Sequence, residues 1–180
     1  ALLLLAALLV GATGGPGFSH LTMLYTSSGY DSPFVAALLS YLGAMISLGK
    51  ILCGQVYDRL GSRGGNRFAF GVLLLSLALC ALAPARGVVL PILAITAFGL
   101  GLSITAVSPA RWAADLYGGQ GYESGVRSIT VAFTAGMLVF GPLPGLLADR
   151  LGGYVPAYIA FLVLLAAAFL IVQGLYRKTG

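Results

Sequence analysis

The chain has 180 residues, of which 59% are hydrophobic and 8% charged, with a mean hydropathy of +0.98 and a formal net charge of +5. Such a composition lies far outside the range of a soluble globular domain and marks an integral membrane protein. The basic residues are scattered rather than gathered into one patch with interleaved aromatics, so the positive charge reports on topology and no nucleic-acid partner follows.

A window of about 19 residues, enough to cross ~30 Å of hydrocarbon as a helix, finds six apolar runs. The first covers 1–25. It lacks a basic start and is too long for a signal core, so it is read as a span rather than a removed leader. Its Gly14-Gly15-Pro16-Gly17 stretch predicts a break or bend, which carriers tolerate where backbone lines a cavity. His20 lies in this broken part, beside Ser19 and Thr22, and three roles are open to it: lining a path, accepting a proton or bonding a freed backbone carbonyl. A turn at 27–29 leads to the second run, 33–57, which holds Cys53 and an isolated Lys50. The separator 61–66 precedes the third run, 67–84, with Cys80. Neither cysteine has metal-ligand spacing, and both are read as small apolar packers. After a turn at 84–86 come the fourth run, 88–109, the separator 117–121, the fifth run, 122–148, a Gly152-Gly153 turn and the sixth run, 155–176. Glu123 precedes Arg127 by four residues, which predicts an exposed ion pair at the fifth helix start. The fold expected is a single all-α bundle of six transmembrane helices over 1–180, consecutive helices antiparallel.

Cationic loops stay on the cytoplasmic side. Arg59, Arg63 and Arg67 follow the second helix, Arg111 and Arg127 lie between the fourth and fifth, and Arg177 and Lys178 follow the sixth. The opposite side has Arg86 and Arg150, so both chain ends are expected in the cytoplasm. Lys50 belongs to no loop.

The chain also matches itself. "GQVYDRLG" from Gly54 recurs as "GLLADRLG" from Gly145, 91 positions on, with Gly, Asp-Arg, Leu and Gly in register. Three helices separate the copies, an odd number, so one faces the cytoplasm and the other faces out. That is the pattern of an inverted three-plus-three repeat, with units of about 1–84 and 88–176. The same residues also suit helix ends, where glycine permits a turn and charges meet water.

Gly54, Asp58, Arg59, Gly61 and Arg63, with the second copy at Gly145, Asp149, Arg150 and Gly152, resemble the loop motif of the major facilitator superfamily. Residues 98–158, with Gly141-Pro142 and the Gly152-Gly153-Tyr154 turn, resemble its last three helices, especially in bacterial monocarboxylate and oxalate/formate porters. The resemblance implies the C-terminal six-helix half of a secondary carrier in a bacterial inner membrane, moving a small organic anion by alternating access. It implies a missing N-terminal six-helix half, on which Asp58 would dock at a helix N-terminus. Such porters carry an arginine one turn before the glycine matching Gly54, a position held here by Lys50, and often "HL" where His20-Leu21 stand. Candidate substrate-binding residues are accordingly Lys50, His20, Tyr25 and Tyr41. A drug/proton antiporter half and a stand-alone membrane module that does not transport are the alternatives.

Lys50 carries the functional expectation. It lies eight residues before Asp58, ~12 Å along a helix, against a hydrocarbon half-thickness of ~15 Å. Snorkelling to the interface is one outcome. Otherwise an ammonium without a carboxylate in these helices loses its proton or recruits an anion, and a substrate carboxylate is the economical counter-charge. No enzyme chemistry is expected: the acidic residues fall at helix ends, Gly49-Lys50 is followed by Ile51 where a phosphate loop needs Ser or Thr, and no cofactor or metal site is indicated.

Overall fold

The computed structural model describes residues 1–84 and 87–178, except the Lys178 side chain. The expected outer cation Arg86, part of the 84–86 turn, and the Lys178 side chain therefore lie outside the described residues. Regular structure among the described residues is all helical: α1 (Leu2–Ser19), α2 (Leu21–Ser27), α3 (Ser32–Ala81), α4 (Val89–Leu102), α5 (Ile104–Phe140), α6 (Leu143–Leu151) and α7 (Val155–Lys178). Four stretches, Leu2–Ser19, Ser32–Ala81, Val89–Leu151 and Val155–Arg177, are long and apolar enough to cross a membrane. Large apolar side chains such as Leu138 (73% exposed) and Leu170 (69%) point outward, which water would penalise and lipid accommodates.

Straight, the 50 residues of α3 would run ~75 Å, more than twice the hydrocarbon thickness. The chain instead turns back at Gly61, where φ 65° and ψ −179° leave the helical region. Gly99 of α4 packs on Met45, and Gly101, two residues on, packs on the Leu73 backbone. Met45 and Leu73 would stand ~42 Å apart along a straight helix, so the reversal between them is required. Gly118, at φ 72° and ψ −176°, does the same for α5. The rings of Trp112 and Phe133, one on each side of it, lie 6.0 Å apart. Only glycine reaches this backbone region without strain of roughly 1–3 kcal/mol. Gly61→Ala is therefore expected to lower stability by about that amount, read as a drop in the detergent unfolding midpoint, and an unchanged midpoint would contradict the reversal.

The structure corrects five of the expected boundaries. The expected separators 61–66 and 117–121 shrink to one residue each, because glycine turns the chain without a loop. The fourth helical stretch does not end at Pro109 but breaks earlier, at Ser103, and then continues through Pro109 to the Gly118 reversal. The Gly14–Gly17 stretch stays helical, and the break falls instead at His20, where the α1 register ends. The fifth run is divided at Gly141-Pro142, between α5 and α6.

Close backbone contacts hold the bundle. A Cβ on Gly11 would overlap the Phe133 carbonyl, and one on Gly136 the Leu8 carbonyl, so α1 and α5 approach with no side chain between them. The Leu8–Gly136 contact has an image in Met45–Gly99: each partner is displaced by the same 91 positions as the sequence self-match. Gly14 and Thr105, also 91 apart, touch each other, 3.6 Å from a Gly14 Cβ to Thr105 Cγ2. Aromatic rings fill the centre, with Phe70 stacked 6.3 Å from Trp112 and 5.5 Å from Phe169. Arg63 meets the Tyr176 carbonyl near the end of α7, whereas Asp149 lies just before its start, so the two motif copies fall at opposite ends of this ~36 Å helix.

Candidate functional site

Around Lys50 one stripe of the outward face of α3 is polar or small, flanked by exposed Leu48 and Ile51. Ser40, Gly43, Ser47, Lys50 and Gly54 recur at spacings of three and four, which places them on one helical stripe. Lys50 and both serines are exposed, and a Cβ on Gly43 or Gly54 would meet nothing within 4 Å. The serine hydroxyls donate to Ala36 and Gly43 carbonyls, 3.0 and 3.2 Å away, so they need no lipid-side partner. Among the described residues no carboxylate lies within ion-pair distance of Lys50; the one ion pair joins Arg111 and Asp58.

The other candidates divide. Tyr41 is half exposed at the mouth of a cavity of about 370 Å³ lined also by Phe34 and Ile92, and its hydroxyl donates to Thr96 Oγ1 at 3.0 Å. Tyr25 is buried in the core, its hydroxyl 3.8 Å from Cys80 Sγ, a packing position in this conformation. His20 is half-buried; its Nδ1–H donates to the Pro16 carbonyl at 3.0 Å, and its ring lies 6.0 Å from that of Tyr154. The histidine thus holds a carbonyl at the α1–α2 break, with no hydrogen bond to its Nε2 among the described residues. Cys53 and Cys80 are both buried thiols.

In the loop motif, Asp58 pairs with Arg111, which belongs to α5 rather than to a loop. Arg63 donates through Nε and Nη2 to the Tyr176 carbonyl, and the Tyr176 hydroxyl donates to Asp115 at 2.7 Å. Arg59, Asp149 and Arg150 are exposed, and Gly145 has open space beside it. Gly152, at φ 76° and ψ 20°, caps α6 by donating its N–H to the Ala148 carbonyl.

Two features escaped the sequence. Arg127 lies nine residues beyond Gly118 on α5, not in a connection, and the expected Glu123–Arg127 pair does not form among the described residues. It lines a groove of about 450 Å³ with Thr130, Val131 and Thr134. The two threonines also border a neighbouring cavity of about 330 Å³ reaching Gly14, Ser19 and Thr105. The i, i+3, i+7 spacing of Arg127, Thr130 and Thr134 was the available signal. The second feature is a buried polar knot: Tyr57 Oη–H and Trp112 Nε1–H both donate to Asn66 Oδ1, at 2.6 and 2.8 Å, and Tyr57 also meets Ser108 at 2.9 Å. An indole donates only, so Asn66 must face it with oxygen, and the Asn66 Nδ2 is left without a partner among the described residues.

Comparison with protein-family models and with curated proteins finds no match to this sequence.

Proposed function

We propose that the chain is one half of a secondary carrier of the major facilitator type, six crossings in two inverted triplets, moving a small organic anion by alternating access. The observation that carries the reading is Lys50: an exposed cation about two turns deep from Asp58, on a stripe of Ser, Gly and Lys, with no carboxylate partner among the described residues. A lipid-facing stripe would be apolar, whereas a face turned to water or to another bundle tolerates this composition. Arg127, nine residues beyond Gly118, is a second cation at comparable depth to Lys50, eleven residues before Gly61. The paired contacts offset by 91 positions and the opposed motif copies support the triplet arrangement. The open faces of α1, α3 and α5 then form one wall of a path whose facing wall is an amino-terminal six-helix half.

The test is uptake of labelled mono- and dicarboxylates by vesicles. Vesicles holding the chain together with an amino-terminal half are expected to accumulate a carboxylate, and vesicles holding the chain alone are not. Carboxylate uptake by neither, or equal uptake by both, overturns the proposal.

A further inference from the structure

At the end of the bundle where the chain reverses at Gly61 and Gly118, cations outnumber carboxylates. Arg59, Arg63, Arg67, Arg111 and Arg177 gather there against Asp58, Asp115 and Glu123. Two of the three acids are engaged, Asp58 by Arg111 and Asp115 by the Tyr176 hydroxyl, and Glu123 makes no ion pair among the described residues. Arg63 fastens the last turn of α7 to the returning part of α3 through the Tyr176 carbonyl, with Nε 3.0 Å away. Arg177 directly follows the residue whose carbonyl Arg63 holds, and Arg67 stands one turn further along the same face of α3. Arg67 and Arg177 are both exposed, and among the described residues neither has a carboxylate within ion-pair distance. Leu60, 66% exposed, projects at the adjoining reversal. Three guanidiniums beside an outward apolar side chain, at the level where the spans end, match a phosphodiester with an acyl chain beneath it.

We propose that the Arg63–Arg67–Arg177 corner binds the headgroup of an anionic phospholipid. Arg63 holds the corner together, and Arg67 and Arg177 supply the free donors. The bound lipid ties α3 to α7 at the membrane surface.

The test compares unfolding midpoints of the full chain in zwitterionic detergent with added phosphatidylglycerol, phosphatidylcholine or inorganic phosphate. Phosphatidylglycerol is expected to raise the midpoint by several degrees more than phosphatidylcholine, because a ligand of the folded state stabilises it by mass action. The R67Q/R177Q variant is expected to lose that difference, and R67K/R177K to keep part of it. Equal responses to both lipids, or a preference undiminished in the glutamine variant, overturn the proposal. An equal rise with inorganic phosphate also overturns it, in favour of a free-anion site. Should the glutamine variant not fold, salt on the unaltered chain decides: the preference shrinks between about 0.05 and about 0.5 M if the site is electrostatic, and a salt-independent preference refutes it.

Discussion

Gly136→Leu is expected to leave almost no monodisperse protein after detergent extraction. A Cβ at this position would overlap the Leu8 carbonyl, and the other near atom is the Ala12 backbone nitrogen. Backbone cannot swing aside as a side chain does, so relief requires the two helices to separate. Between membrane helices the attraction comes largely from close van der Waals packing, and separation forfeits it along the whole crossing. Overpacking typically costs about 1–3 kcal/mol, and here the cost falls at the high end or beyond because both sides are rigid. Gly11→Leu, against the Phe133 carbonyl, should behave alike, whereas Gly145→Ala, with nothing within 4 Å of its Cβ, should be neutral. A monodisperse Gly136→Leu protein with an unshifted midpoint would refute the crossing.

The largest functional effect is expected at Lys50. In the proposed carrier, assembled from both halves, Lys50→Gln should cut carboxylate uptake by on the order of 10²-fold or more while leaving the unfolding midpoint unchanged, because truncating one partner of a desolvated charge pair costs about 2–5 kcal/mol. Stability is insulated, since Lys50 is exposed and makes no ion pair among the described residues. Lys50→Arg should retain part of the activity, with altered selectivity, because the planar fork of guanidinium replaces a point charge. Initial rates at several carboxylate concentrations check this, and a Gln variant with native uptake would assign Lys50 to snorkelling instead.

Composition and apolar run length made the helical, membrane-spanning character legible from the sequence, because crossing hydrocarbon demands long runs that few other folds need. The hinges were less legible. Gly61 and Gly14 read alike as letters, yet one leaves the helical region and the other remains helical; what separates them is the position of α4 against both arms of α3, a long-range contact. The site was half legible. An isolated lysine in an apolar run stands out by charge alone, but Arg127 lies close enough to the start of the fifth run, 122–148, to read equally as an interface cation, and its depth follows only from the position of the Gly118 reversal. The Asn66 knot was invisible, since its four members are scattered from Tyr57 to Trp112 and meet only after folding.

A helical hairpin closed by a single residue has no slack. At Gly61 and Gly118 neighbouring helices are joined without a connecting segment, and the Arg111–Asp58 pair and the Arg63–Tyr176 bond brace the same end. The far end is interrupted instead, at the α1–α2 step at His20 and the α5–α6 passage at Gly141-Pro142. The bundle is therefore built like a pair of tongs. Helices moved against one another about the glycine end would gain amplitude toward the other, a rotation of about 5° giving ~3 Å over a ~36 Å helix.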